Sequence, residues 1–123
     1  MQQLQTNKTH KAFVNALEGL NYFFRHERNG RAQLIIGVFT VILSLLLNVS
    51  QHEWIVILLC IGTVLSAEMM NSALEKLCDY TQPSFNLQIK IIKDVAAGAV
   101  FFISVISAIT GTIIFFPKLW QLL

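Results

Sequence analysis

The sequence has few charged residues, few cysteines and few prolines for a chain of 123 residues. Charged residues make up 13% of it, against roughly 25% in soluble globular domains, which excludes an ordinary soluble domain and a disordered tail. The two cysteines, Cys60 and Cys78, lack zinc or redox spacing and do not form a disulfide scaffold. The net charge of +2 leaves no basic stripe for a nucleic acid, so no such partner is expected.

Familiar catalytic and nucleotide-binding motifs are missing as well. His10, His26 and His52 are scattered along the chain and do not have the spacing of zinc ligands. There is neither a Walker loop nor the glycine-rich loop of protein kinases. Any nucleotide site must therefore be built in another way.

Uncharged apolar runs, in contrast, are long. Residues 32–47 and 95–116 contain no Asp, Glu, Lys or Arg, and the second run is long enough to cross a hydrocarbon layer of about 30 Å. Residues 54–67 are apolar too, and their helical pattern continues to Asp79, which gives a helix about 40 Å long. The pattern predicts an all-α membrane protein. Its three transmembrane helices are expected at about 32–48, 54–80 and 94–116.

The segment before the first span alternates polar and apolar residues. Phe13, Leu17 and Leu20 recur at helical spacing, which predicts an N-terminal amphipathic surface helix over about 8–25. A simple packing helix fits the same pattern. The first ten residues are polar and are expected to be loosely ordered.

Short polar segments separate the predicted spans. Residues 25–31 form a polar hinge before the first span, and residues 48–53 and 81–84 are expected to be loops. Residues 85–92 are expected to form a short amphipathic linker. Pro117 is expected to end the third span, because proline lacks the backbone N–H that a helix requires.

The basic residues concentrate on one side of the predicted spans. Eight of the nine precede the first span or lie between the second and third, whereas Lys118 follows the third. By the positive-inside rule this side is cytoplasmic, so the N-terminus is expected inside and the C-terminus outside. The eight residues are Lys8, Lys11, Arg25, Arg28, Arg31, Lys76, Lys90 and Lys93.

One stripe of polar residues ends the second predicted span. At 100° per residue, Glu68, Asn71, Glu75 and Asp79 fall within roughly 80° of one another. Their carboxylates repel each other, and a divalent cation such as magnesium would compensate them. A solvated helix end explains Asp79 equally well, but Glu68 directly follows an apolar run, where an ionisable group is functional by default.

A second polar pair, Lys93 and Asp94, stands at the cytoplasmic entry of the third span. It fits either a snorkelling lysine with a helix-start aspartate or a lysine that contacts phosphate. Glu27 lies at the same membrane face by position and is placed to complete a metal site with Glu75. Phosphoryl transfer needs mainly positioning and charge neutralisation, so the constellation fits transfer of phosphate to an alcohol in lipid.

Three blocks resemble the prokaryotic diacylglycerol kinase/undecaprenol kinase family of small integral-membrane lipid kinases. Residues 68–79 fit the family pattern E-x-x-N-[ST]-A-[IL]-E-x-x-x-D at every fixed position. Residues 24–31 (FRHERNGR) and 93–100 (KDVAAGAV) resemble the other two blocks. The resemblance covers nearly the whole chain, which is expected to form a single lipid kinase domain over 1–123.

The resemblance implies ATP- and magnesium-dependent phosphorylation of a membrane lipid alcohol. Glu68 would be the general base toward the lipid hydroxyl. Asn71 would orient the carboxylates and that hydroxyl. Glu27 and Glu75 would hold magnesium that bridges the phosphates of ATP.

The remaining implied features concern the nucleotide and the assembly. Lys93 and Asp94 would contact ATP, and Asp79 and Arg31 would support the site. The family is homotrimeric, with sites shared between neighbouring subunits, and lies in the bacterial cytoplasmic (inner) membrane as a multi-pass protein.

Two features bear on the lipid substrate. The glycerolipid-preferring branch usually has Ser where this chain has Ala97, and the pattern F-F-x-x-E-x-N-x-R at 23–31 is more like the undecaprenol kinase branch. Undecaprenol is therefore the expected substrate, with diacylglycerol as the alternative. Ser84-Phe85-Asn86 departs from the Glu-Tyr-His of the proteobacterial branch, so no nucleotide contacts are assigned to this loop.

Two other functional classes make different predictions. A non-catalytic membrane assembly subunit would show no ATP turnover and would tolerate Glu75→Ala. A cation channel or transporter would place its carboxylates in mid-span, whereas these lie at one membrane face.

Overall fold

The computed structural model describes all of residues 1–123, which form four consecutive α-helices. These are α1 (Gln2–His26), α2 (Arg28–Leu46), α3 (Gln51–Thr81) and α4 (Leu87–Leu122). Helices α2, α3 and α4 are long and apolar enough to cross a membrane. The predicted all-helical architecture with three candidate spans is confirmed.

A single residue, Glu27, separates α1 from α2. Its backbone is extended, with φ −102° and ψ 114°, while its N–H still donates to the carbonyl of Phe23 at 2.9 Å. The Arg31 guanidinium crosses the break and donates to the carbonyl of Arg25 at 2.6 Å, one of the groups that a helix end leaves unpaired. Gly30 lets the buried Phe23 ring lie against α2, since a Cβ there would be 2.6 Å from the ring.

A tight connection joins α2 to α3. Asn48 adopts a left-handed conformation with φ 50°, which asparagine tolerates better than most residues. Ser50 then caps α3: its hydroxyl accepts the N–H of Glu53 at 3.2 Å, and the Glu53 carboxylate accepts the N–H of Ser50 at 3.1 Å. This capping box starts α3 at Gln51, inside the segment that was expected to be a loop.

Helix α3 is central, because it packs against both α2 and α4. Ion pairs join α3 to the antiparallel α4 at both ends. Asp79 Oδ1 lies 2.5 Å from Lys93 Nζ, and Glu53 Oε1 lies 3.3 Å from Lys118 Nζ. The two pairs fix the register in which the helices lie side by side.

The core of a single chain is small. Only 11 of 123 residues are buried, and the main cluster consists of Val49, Ile57 and Phe115. It lies where the α2–α3 connection meets the far end of α4. Most apolar side chains of the three candidate spans face outward, where lipid or another copy of the chain can cover them.

Two expectations about the chain ends were wrong. The first ten residues are not loosely ordered, because α1 begins at Gln2 and the hydroxyls of Thr6 and Thr9 donate to carbonyls four residues earlier. Pro117 does not end α4, which continues to Leu122. A proline removes one N–H donor, and the turns on either side of it keep theirs.

The expected linker at 85–92 was also wrong. Helix α4 begins at Leu87, so most of that segment belongs to the helix. The Asn86 side chain accepts the N–H groups of Gln88 and Ile89 at 2.9 and 3.2 Å. This cap starts α4 well before its apolar part and places Lys93 and Asp94 in its second turn.

Candidate active site

The buried face of α3 changes from apolar to polar at Glu68. Ile57 and Val64 are buried on this face, and Glu68 and Asn71 follow with exposed fractions of only 5% and 9%. The amide Nδ2 of Asn71 donates to Oε1 of Glu75 at 3.4 Å, one turn further along. Helical periodicity alone aligns these residues, and packing against the neighbouring helices buries them.

Glu27 reaches the same region from the α1–α2 break. Its Oε1 lies 3.2 Å from Nζ of Lys76 on α3. The Glu68 carboxylate is close enough to those of Glu75 and Glu27 to be repelled by both. The structure thus brings together, from two parts of the chain, the three glutamates that were predicted to form the site.

The other predicted site residues are held by neighbours of their own. Lys93 pairs with Asp79, and Asp94 pairs with Lys90 one turn earlier on α4, at 2.6 Å. Arg31 bonds to the end of α1 rather than to any of these acids. In one chain, therefore, Asp94 and Arg31 do not join the glutamate cluster.

The glutamate cluster offers oxygen donors to a cation. Glu27 and Glu75 supply carboxylates, and the amide Oδ1 of Asn71 is buried without a hydrogen-bond partner. No group of three or more His, Cys, Asp and Glu side chains is arranged to hold a metal ion. Magnesium usually takes only one or two carboxylates and completes its shell with water and phosphate oxygens, so this donor set fits magnesium bound together with a nucleotide.

An apolar cavity of about 610 Å³ lies between α2, α3 and α4. Its wall begins at Val64 and Leu65, about one turn before Glu68, and extends to Phe116 and Leu119 toward the end of α4. Gly37 of α2 lets Ile61 of α3 pack closely against it in the cavity wall, since a Cβ there would lie 3.1 Å from Ile61. A cavity with largely apolar walls, about one helical turn from a buried carboxyl, suits a long hydrocarbon chain with one polar end.

Sequence reasoning missed two features of the site. Lys76, counted above only for its charge, contacts Glu27 and lies 5.4 Å above the Tyr22 ring. The contact between Phe23 and Gly30 sets how α1 meets α2. The position of Lys76 beside Glu75 was the one available signal, and no periodicity marked Tyr22 or Phe23 as its neighbours.

Comparison with known proteins shows the family of the chain. The model of the prokaryotic diacylglycerol kinase family matches residues 14–115. The chain is 37% identical over 115 residues to the undecaprenol kinase of Bacillus subtilis, across 94% of both chains. It is 33% identical over 113 residues to a diacylglycerol kinase of Synechocystis sp., which covers 91% of this chain and 65% of that protein. A diacylglycerol kinase of Helicobacter pylori is 32% identical over 90 residues, 72% of this chain and 70% of that protein. The chain therefore belongs to the prokaryotic diacylglycerol kinase family and is a lipid kinase, as its three sequence blocks predict.

Proposed function

We propose that this protein transfers the terminal phosphate of ATP to the hydroxyl group of undecaprenol in the membrane. An identity of 37% to a protein named undecaprenol kinase, over 94% of both chains, supports this acceptor, as does Ala97 in the third sequence block. The alternative acceptor is diacylglycerol, which would give phosphatidic acid. The names of the Synechocystis and Helicobacter relatives favour that alternative.

The observation that carries the proposal is the buried Glu68, which lies about one helical turn from Val64 and Leu65 in the wall of an apolar cavity. Glu68 is 5% exposed, and unlike Glu27 it takes part in no ion pair. A carboxylate without a cationic partner is available to accept a proton. Glu68 takes the proton of the lipid hydroxyl while the new oxygen–phosphorus bond forms and the bond to ADP breaks.

The neighbours of Glu68 would position the nucleotide. Bound magnesium would neutralise charge on the phosphates, and Glu27, Glu75 and the free Oδ1 of Asn71 are the donors that would hold it. Lys93 would exchange Asp79 for a phosphate oxygen, and Asp94 would contact the nucleotide. Asp79 would act indirectly through its ion pair with Lys93. Arg31 would act indirectly by stabilising the α1–α2 break through its hydrogen bond to Arg25.

The proposal includes a membrane arrangement. The chain lies in a bacterial cytoplasmic membrane with its N-terminus inside and its C-terminus outside, as the placement of its basic residues favours. Helix α1 lies along the cytoplasmic surface, since Phe13, Leu17 and Leu20 are exposed in the isolated chain and can insert among lipid headgroups. The active form is a homotrimer.

A side-by-side assay tests the function and the acceptor. Purified protein in mixed micelles receives ATP, magnesium and either undecaprenol or diacylglycerol at equal mole fraction, and phosphorylated lipid is measured. We expect a kcat/KM at least several-fold higher for undecaprenol. A higher value for diacylglycerol would reverse the acceptor assignment, and no turnover of either would favour the assembly-subunit hypothesis.

The variant Glu68→Gln tests the general base in the same assay. Because general-base catalysis contributes about 10²- to 10⁴-fold, we expect kcat to fall by at least about 100-fold with an unchanged melting temperature. Glu18→Gln, an exposed site on α1, is the matched control and should keep wild-type turnover. Full turnover in Glu68→Gln would remove Glu68 from the role.

A further inference from the structure

Lys76 forms an ion pair with the carboxylate of Glu27. Its Nζ lies 3.2 Å from Glu27 Oε1, and the two side chains are 52% and 25% exposed. The same ammonium group lies 5.4 Å from the centre of the Tyr22 ring. Lys76 thus contacts both the end of α1 and the break that follows it, while its own chain position adjoins Glu75.

We propose that Lys76 is the resident counter-cation of Glu27 and competes with a divalent cation for that carboxylate. The inference rests on the proposed function in one respect, namely that Glu27 binds the metal. It adds to that function a residue that controls how tightly the metal is held.

The charges of the cluster explain why a resident cation is needed. Glu68 is repelled by both Glu75 and Glu27, and a cation beside Glu27 offsets part of this repulsion while no metal is bound. An ammonium group and a divalent cation on the same carboxylate would repel each other strongly at such short range. Lys76 must therefore leave Glu27 before that carboxylate can serve as a metal ligand.

The surroundings of Lys76 allow it to leave. Its side chain is half exposed, so its flexible stem is free to move through solvent. The Tyr22 ring already lies within cation–π range of the ammonium group, so it would still hold that group after the contact with Glu27 is lost. The Glu27–Lys76 pair is thus stable enough to hold Glu27 and weak enough to be exchanged, as is typical of partly exposed ion pairs.

Binding of Mn²⁺ without nucleotide tests the competition directly. The full chain in detergent micelles is titrated with Mn²⁺, and free metal is followed by electron paramagnetic resonance. We compare wild type with Lys76→Gln, which removes the charge, and Lys76→Arg, which keeps it. Lys118→Gln is the matched control, since it breaks the ion pair with Glu53 at the opposite end of α3 and changes net charge equally.

We expect Lys76→Gln to bind Mn²⁺ about three- to fivefold more tightly, in line with the strength of a partly exposed ion pair. Lys76→Arg and Lys118→Gln should stay within about twofold of wild type. The magnesium concentration for half-maximal kinase activity should fall in parallel for Lys76→Gln.

A decrease in the Mn²⁺ affinity of Lys76→Gln, instead of the expected increase, would overturn the proposal. If Lys76 only positions Glu27, Lys76→Gln would bind Mn²⁺ more weakly than wild type. Equal binding would also contradict competition. If neither protein binds Mn²⁺ without nucleotide, an unchanged magnesium requirement for the kinase activity of Lys76→Gln would contradict it. A wild-type protein that binds Mn²⁺ but phosphorylates no lipid would refute the proposed function and leave the inference about Lys76 standing.

Discussion

Asn71 shows how one side chain divides its two polar groups between structure and function. Its Nδ2 donates to Glu75 at 3.4 Å, which fixes the amide plane, while its Oδ1 is buried with no partner. A buried acceptor without a partner destabilises the folded state by about 1–3 kcal/mol. Such an oxygen is free to bind a ligand, and in the proposed function that ligand is magnesium.

The variant Asn71→Leu should separate stability from activity. Leucine has a similar size and removes the unpaired oxygen, so we expect the melting temperature to stay the same or rise. Kinase activity should fall by at least about 100-fold, because Glu75 loses its bond and the cation loses a donor. Thermal unfolding in micelles and the rate of lipid phosphorylation measure the two effects.

The neighbouring variant Ser72→Ala is the control and should change neither quantity by much. A marked loss of stability in Asn71→Leu would show that Oδ1 has a partner in the assembled protein. The role assigned to that oxygen would then be wrong.

The sequence predicts this residue-scale site only in part. Helical spacing alone places Glu68, Asn71 and Glu75 on one face of α3, because the period of a helix is fixed. It cannot indicate which acid pairs with which lysine, since that depends on how α1 and α4 pack against α3. The ion pairs of Lys76 with Glu27 and of Lys93 with Asp79 are therefore known only from the structure.

At the scale of elements, the ends of the helices were harder to predict than their existence. Apolar runs mark α2, α3 and α4, whereas the first turns of α1 are polar and helical by intrinsic propensity. The start of α3 depends on Ser50 and Glu53, whose S-x-x-E spacing is visible in the sequence. The break at Glu27 falls inside the polar hinge predicted at 25–31, but no signal marks its exact position, which depends on the contact between Phe23 and Gly30.

The variant Gly30→Ala tests whether that contact positions Glu27. A Cβ at Gly30 would lie 2.6 Å from the Phe23 ring, so the ring and the angle between α1 and α2 must shift. We expect kcat to fall about tenfold and the magnesium requirement to rise, because Glu27 sits within this angle. Steady-state assays at varied magnesium measure both.

Gly19→Ala is the matched control, since a Cβ there meets nothing within 4 Å. It should leave activity unchanged and stabilise α1 by about 0.5–1 kcal/mol. A second change, Phe23→Leu, removes the ring from the crowded position and should restore activity to Gly30→Ala. Unchanged kinetics in Gly30→Ala would mean that the angle at the break does not control Glu27.

In the whole molecule, the core of a single chain is small, and one predicted site residue lies apart from the glutamate cluster. Only 11 of 123 residues are buried, and Asp94 lies exposed, bonded to Lys90 of its own helix. Glu68, in contrast, is buried among the groups of its own chain. In the proposed trimer, the exposed Asp94 of one subunit would serve the glutamate cluster of the next subunit. A cyclic arrangement permits such sharing.

Mixing two inactive variants tests this sharing. Glu68→Gln and Asp94→Asn each damage every site in their own trimers. In randomly mixed trimers, half of the subunits supply an intact Glu68 and half of their neighbours supply an intact Asp94. Roughly a quarter of the sites are then complete under head-to-tail pairing, so co-expression should restore roughly a quarter of wild-type turnover. Activity no greater than the average of the two separate variants would place both residues in a site built from one chain, and Asp94 would then have to leave Lys90 to reach its own Glu68.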